Sequence, residues 1–248
     1  MNTHDFIETL RDEGRLFADA AERAGADAPV PSCPEWRMRD LVVHLGSVHR
    51  WAAAYVAGGS QQPIPLPEAP QLDDDALVPW LREGHNRLVE TLASAPSDLS
   101  CWTFLPAPSS LAFWARRQAH ETTVHRVDAE TALGGSLSPV RPAFAADGID
   151  ELLAGFHASD RSPVRTESPR TLCIQPTDVP NTTWTVHLSD ATPRTERTTG
   201  APSTAADCTY EGSAADLYLV LWNRLPVAAV KLDGDPTLAH LWRDRSGF

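Results

Sequence analysis

The segment 120–128 reads HETTVHRVD and carries side chains that bind divalent metals. It differs by one residue from the H-E-x-x-H motif of zinc proteases, because Val124 stands where that motif has its second histidine. In a helix of 3.6 residues per turn, Glu121 and His125 lie about 40° apart on one face, whereas His120 lies about 100° from Glu121. The spacing therefore presents one carboxylate and one imidazole together, rather than two histidines beside a general base.

A glutamate and a histidine four residues apart also occur as a solvent-exposed polar pair, and the helix taken alone does not exclude this. The face that they share carries Trp114, Ala129 and Ala132. Because an unpaired carboxylate among apolar side chains is costly, the pattern favours an inward-facing pair with further partners.

A third metal ligand is expected on the preceding helix, in the segment DLVVHLGSVHRWAAAY. Its apolar stripe consists of Leu41, Leu45, Val48, Ala52 and Tyr55. His44 lies at one edge of this stripe and His49 lies slightly further from the other edge, so geometry prefers His44 only marginally. If the two helices are neighbours, His44, Glu121 and His125 form a two-histidine, one-glutamate set. Such a set suits zinc with an open fourth position, and nickel or iron would also fit.

The elements that must position these residues are long amphipathic helices followed by a small sheet. Hydrophobic periodicity and capping residues predict helices over roughly 3–24, 38–57, 73–94, 109–133 and 143–157. After residue 157 the chain becomes rich in threonine and turn residues, which predicts short strands, then a helix capped by Ser213 and a last helix with Pro236 in its first turn. We therefore expect a two-domain protein of class α plus α/β, with a helical bundle over 1–160 and a small α+β domain over 161–248.

Composition restricts the partners of the chain. The net charge is -12 over 248 residues and no basic stretch stands out, which argues against binding to nucleic acid or anionic lipid. The first residues are polar and acidic, unlike a signal peptide, and no apolar run is long enough to cross a bilayer, so a soluble cytoplasmic protein is expected. The four cysteines are widely spaced, which predicts reduced structural thiols: Cys33, Cys101, Cys173 and Cys208.

Two longer motifs resemble a known family. CPEWRMRDLVVHLGSVHRWAA at 33–53 and FWARRQAHETTVHRVDAE at 113–130 resemble the mycothiol-dependent maleylpyruvate isomerase family of the DinB-like superfamily. YEGSAADLYLVLWNRLP, with VKLDGDPTLAHLW, resembles the small second domain of that family, which is similar to sterol-carrier folds. The resemblance implies a DinB-like four-helix bundle that binds a divalent metal, most often Zn²⁺, followed by a sterol-carrier-like α+β domain.

The resemblance also implies roles for individual residues. The metal ligands of the family fall on His44, Glu121 and His125, so His120 is not expected to bind the metal. The important arginine of the family's second domain falls on Arg224. The implied cofactor is mycothiol, the low-molecular-weight thiol of actinobacteria, whose metal-bound thiolate would attack a small electrophile. Addition, rotation and elimination would give isomerisation, and attack alone would give S-transfer. Arg224 would bind a substrate carboxylate or stabilise developing charge, although a surface ion pair or a helix C-terminal role is equally compatible with its position.

Two other functions remain open at this point. One is a non-catalytic metal-binding or small-ligand-binding protein on the same scaffold, and the other is a thiol-independent biosynthetic enzyme. The electrophile, the native metal and the oligomeric state are not determined by the sequence.

Overall fold

The computed structural model describes residues 1–68, 70–200 and 205–247. The chain divides into two compact units, Met1–Ser138 and Pro139–Phe248. These units differ from the domains predicted from sequence only in where they place the segment 139–160.

In its described residues the first unit contains four helices, as the periodicity predicted. They are α1 (Thr3–Ala24), α2 (Met38–Gly58), α3 (Asp74–Ser94) and α4 (Ser110–Leu133). Asn2 and Asp5 form a reciprocal capping box at the start of α1. Ser109 caps α4 by accepting a hydrogen bond of 3.1 Å from the backbone N–H of Ala112. These caps satisfy N–H groups that the first turn of a helix leaves without an intrahelical partner.

The apolar stripes of these helices form the core of the first unit. Phe6, Leu10 and Phe17 of α1 are buried, and so is the whole predicted stripe of α2. Because α4 is buried along most of its length, polar side chains on it must find partners inside the bundle. The stripes therefore determine which face of α2 and of α4 meets the interior.

Two polar contacts inside the bundle fix how closely its helices approach. Arg126 of α4 is fully buried, and its Nε donates to Glu13 of α1 at 2.7 Å. His85 of α3 lies 2.9 Å from the carbonyl oxygen of Leu10, and its ring packs directly over Gly14. A Cβ at Gly14 would lie 2.2 Å from the ring, so this approach requires glycine.

The second unit, where the structure describes it, consists of helices and one mixed sheet. Its helices are α5 (Pro142–Asp150), which continues as a π-helical turn over Glu151–Phe156, α6 (Ala214–Leu221) and α7 (Pro236–Arg245). Its strands are β1 (Arg170–Pro176), β2 (Thr183–Leu188), β3 (Arg194–Thr198), β4 (Cys208–Gly212) and β5 (Lys231–Gly234), in the order β3-β2-β1-β4-β5. The β1–β4 pair is parallel and the other pairs are antiparallel. This arrangement confirms the predicted fold class.

The strand β5 was not predicted from sequence. Its four residues read KLDG, a short stretch with a single apolar residue that ends in a turn former, so the local pattern indicates a loop. It becomes a strand because it pairs with β4 over four positions, from Cys208–Gly234 to Glu211–Lys231. Ser213 caps α6 as predicted, accepting from the backbone N–H of Asp216 at 3.0 Å.

Across the described parts of the chain, we find no helix with both the length and the apolar character needed to cross a bilayer. The four cysteines are free thiols, as predicted.

Candidate metal centre

Three side chains from two helices converge inside the first unit. Glu121 and His125 lie one turn apart on α4, and His44 reaches them from α2. The Nε2 atoms of both histidines approach the same carboxylate oxygen, Oε1 of Glu121, at 3.4 Å for His44 and 3.3 Å for His125. Within the described residues, this is the group of histidine, cysteine and acidic side chains whose donor atoms all lie within 4.8 Å of one another.

The spacing of these atoms differs from that of a simple ion pair. Hydrogen bonds between charged nitrogen and oxygen groups are usually about 2.7–2.9 Å long. A tetrahedral cation with bonds of about 2.0–2.1 Å places neighbouring ligand atoms about 3.4 Å apart. The two distances to Glu121 Oε1 therefore match the edge of a tetrahedral metal site better than they match short hydrogen bonds.

The carboxylate of Glu121 is held in its ionised form. Its side chain is 23% exposed, so the pair is not the solvent-exposed one that the helix alone allowed. Burial would raise the pKa of Glu121, but hydrogen bonds from His125 and His44, with the positive charges of His125 and Arg117, hold it well below its usual range. Arg117 lies one turn earlier on α4, and its Nη2 donates to Oε2 of Glu121 at 3.1 Å.

His125 is oriented by a buried carboxylate. Its Nδ1 lies 2.8 Å from Oδ2 of Asp128, which is fully buried, and Ser32 donates to the other oxygen of Asp128 at 2.5 Å. Burial would lower the pKa of His125, but the hydrogen bonds and charges of Asp128 and Glu121 raise it to about 9. With Nδ1 directed at Asp128, Nε2 is the nitrogen that faces Glu121 and His44.

The loop between α1 and α2 covers one side of this group. Trp36 packs its ring against both histidines, with centroid distances of 5.0 Å to His44 and 6.5 Å to His125. Ser32 belongs to the same loop, so the hydrogen bond from Ser32 to Asp128 ties that loop to α4.

The remaining histidines of the bundle lie outside the group. His49, the alternative candidate on α2, is fully buried and its Nε2 lies 2.9 Å from Oγ1 of Thr122. Burial and the neighbouring charge of His85 hold the pKa of His49 well below its usual range. His120 is buried against the ring of Phe6 at 6.0 Å. The choice of His44 over His49, marginal from sequence, agrees with this arrangement.

Arg224 lies in the second unit, just after α6. Its backbone N–H donates to the carbonyl of Leu219 at 2.7 Å, and its Nη1 donates to the carbonyl of Trp222 at 2.9 Å. These contacts correspond to the helix C-terminal position that was considered as an alternative to a functional role. Its part in catalysis stays a prediction.

Sequence reasoning missed two residues that shape this site. Arg117 could have been found, because it stands four residues before Glu121 on the same helix face. Ser32 carries no such signal, because it lies in an irregular loop 96 residues before Asp128.

Comparison with known proteins bears on the whole chain. The model of the mycothiol maleylpyruvate isomerase N-terminal domain matches residues 7–130, and that of the MDMPI C-terminal domain matches residues 143–241. A crystal structure of the mycothiol-dependent maleylpyruvate isomerase has a TM-score of 0.63 at 14% identity, and that of a histidine-to-alanine mutant has 0.64 at 12%. Each alignment covers 94% of this chain and 93% of the other, which shows a shared fold. A search of curated proteins found no match. On the two domain matches, the chain belongs to the mycothiol maleylpyruvate isomerase family.

Proposed function

We propose that this protein is a metal- and mycothiol-dependent enzyme in which a metal-activated thiolate attacks an electrophilic carbon. The reaction is cis-trans isomerisation of a maleylpyruvate-type substrate or S-transfer to an electrophile. The observation that supports this most directly is the convergence of two imidazole nitrogens on Glu121 Oε1 at 3.3 and 3.4 Å. Membership of the family supports mycothiol as the thiol.

The donor set fits a divalent cation. Two imidazoles and one carboxylate, supplied by His44, His125 and Glu121, are ligands that zinc accepts, and nickel or iron would also bind them. Three protein ligands leave a fourth position for an exogenous group. A cation held there would favour the thiolate of a bound thiol over the thiol, and the thiolate is the nucleophilic form.

The residues around the ligands prepare them for that cation. Arg117 engages Oε2 of Glu121, which leaves Oε1 directed at the two histidines. Asp128 accepts a hydrogen bond from the Nδ1–H group of His125, so that Nε2 is the nitrogen that would give up its proton and bind a cation. Trp36 excludes water from one side of the histidines, which strengthens charge interactions at the site.

Arg224 is proposed to bind a carboxylate of the electrophile or to stabilise the negative charge that develops on it. We expect Arg224→Gln to raise KM for a carboxylate-bearing electrophile or to lower kcat, while metal content stays unchanged. Arg243→Gln is the matched control, because Arg243 is an exposed arginine of α7 in the same unit. Equal kinetics for both variants would remove Arg224 from the mechanism.

The function is tested by following metal, thiol and substrate together. The purified protein is analysed for bound metal and then incubated with mycothiol and a panel of electrophiles, including maleylpyruvate. Isomerisation converts the cis double bond without consuming thiol, whereas S-transfer consumes one thiol for each product molecule. Absence of turnover with any thiol in the metal-loaded protein would reject the proposal and favour a binding protein. Turnover without thiol would instead identify a thiol-independent enzyme.

A further inference from the structure

Arg117 is a buried cation at the edge of the candidate metal centre. Its side chain is 4% exposed, and its Nη2 donates to Oε2 of Glu121 at 3.1 Å. A charged pair four residues apart on a helix is common at the surface, where it contributes little to stability. Because taking a guanidinium out of water is costly, that small contribution does not account for the burial of Arg117.

The two oxygens of Glu121 have different partners. Oε1 lies 3.4 Å from Nε2 of His44 and 3.3 Å from Nε2 of His125. Oε2 accepts the hydrogen bond from Arg117. A carboxylate can bind a metal through one oxygen or through both. With Oε2 engaged by a charged donor, the arrangement favours binding through Oε1 alone.

The number of binding oxygens decides whether a coordination position stays open. His44, His125 and one oxygen of Glu121 supply three donor atoms. Zinc sites that accept an exogenous group have three protein donors, whereas four protein donors complete a closed tetrahedral shell. A second oxygen from Glu121 would supply the fourth donor. The hydrogen bond from Arg117 therefore bears on how many positions remain for a small molecule.

The charge of Arg117 acts in the same direction. Glu121 and the fully buried Asp128 bring two carboxylates to the site, and Asp128 lies 2.8 Å from Nδ1 of His125. Two carboxylates alone would balance the charge of a divalent cation. Arg117 offsets one of them, so a cation bound here keeps a net positive charge in its surroundings. That charge favours an anionic sulfur over a neutral thiol.

We propose that Arg117 is a positioning residue that keeps Glu121 a one-oxygen metal ligand and thereby holds a coordination position open for the thiolate. The inference rests on the proposed function, since it requires a cation held by His44, Glu121 and His125. It makes a demand that a merely structural role does not make. Removing Arg117 should leave zinc binding at least as strong, because a positive charge beside the cation is lost, and should weaken the binding of a thiol.

The test compares Arg117→Met with the wild type in the full chain. Competition with a chelator gives Kd for zinc, which we expect to be no higher in Arg117→Met. In the cobalt-loaded protein, the visible absorption reports how the donors are arranged and should change when Oε2 becomes a donor. Binding of mercaptoethanol, followed by its sulfur-to-cobalt absorption, should be about tenfold weaker. Arg87→Met, at an exposed arginine of α3, is the matched control and should match the wild type.

Arg117→Lys separates positioning from folding. Lysine keeps a positively charged donor at the same place on α4, although it lacks the fork of the guanidinium. This variant should therefore recover most of the affinity for mercaptoethanol that Arg117→Met loses. If Arg117→Met and Arg117→Lys lose zinc affinity to the same extent, Arg117 supports only the fold and the proposal is overturned.

The outcomes distinguish this inference from the proposed function. An unchanged cobalt spectrum and unchanged mercaptoethanol affinity in Arg117→Met would overturn the role of Arg117, while mycothiol-dependent turnover would leave the enzyme assignment intact. Weaker mercaptoethanol binding with undiminished zinc affinity, but no turnover with any thiol, would support the role of Arg117 and overturn the proposed enzyme. A wild type that binds neither zinc nor cobalt would overturn both.

Discussion

Replacing Asp128 by asparagine should weaken metal binding although this residue is not proposed as a ligand. Asparagine has nearly the same shape and keeps one oxygen that can accept a hydrogen bond from Nδ1 of His125, which lies 2.8 Å from Oδ2 of Asp128. Its amide group can donate towards Ser32, so the buried hydrogen bonds need not be lost. The change therefore removes the negative charge behind His125 and little else.

The expected magnitude follows from the nature of that hydrogen bond. A bond to a charged group contributes about 1.5–3 kcal/mol and a neutral one about 1 kcal/mol, so losing the charge costs about 1–1.5 kcal/mol. A difference of about 1.4 kcal/mol is tenfold in a dissociation constant. We expect Kd for zinc to rise about tenfold in Asp128→Asn, within the range known for partners of metal-bound histidines.

Competition with a chromophoric chelator measures this constant, and ¹⁵N NMR of the imidazole reports which nitrogen of His125 carries the proton. Ser32→Ala is the companion variant, because it removes the hydrogen bond to Asp128 and leaves the Asp128–His125 contact in place. Its effect on Kd should be smaller. If folded Asp128→Asn binds zinc as tightly as the wild type, Asp128 does not support the metal through His125.

Three other changes test the site and the fold. His44→Ala should lose most bound metal in elemental analysis, because it removes one of three ligands. His4→Ala, a change at an exposed histidine outside the group, should retain the metal. Equal metal content in the two variants would reject the ligand set. Burial and the charge of Arg165 lower the pKa of His157 to about 4. The contribution of the neutral ring to the free energy of unfolding is therefore fully present above about pH 6.5 and is lost as the pH falls towards 4. Over this interval, urea titrations should show the free energy of unfolding of the wild type falling by about 3 kcal/mol more than that of His157→Asn, and parallel curves would contradict the assignment. Gly14→Ala should destabilise the first unit by about 1–3 kcal/mol, because its Cβ would lie 2.2 Å from the buried ring of His85. Gly58→Ala, with open space around the position, should be tolerated. Similar melting temperatures for the two variants would show that the ring of His85 moves freely.

Much of the helical structure follows from local pattern. The helix bounds, the cap at Ser213 and the buried stripe of α2 were all predicted, because helical periodicity and capping depend on residues within one or two turns. The pairing of Glu121 with His125 is of the same kind, since four residues along a helix bring two side chains to one face. For the same reason β5, whose four residues have no local strand signal, could not be predicted without its partner β4.

The sequence by itself determined the helices, the inward pair on α4 and the chemical types available for a metal site. Only the tertiary structure decided that His44 rather than His49 reaches Glu121 and that Ser32 and Asp128 lie behind His125. A sequence specifies the angle of a side chain about its own helix, but the distance between two helices and their mutual rotation depend on how all the buried side chains pack together.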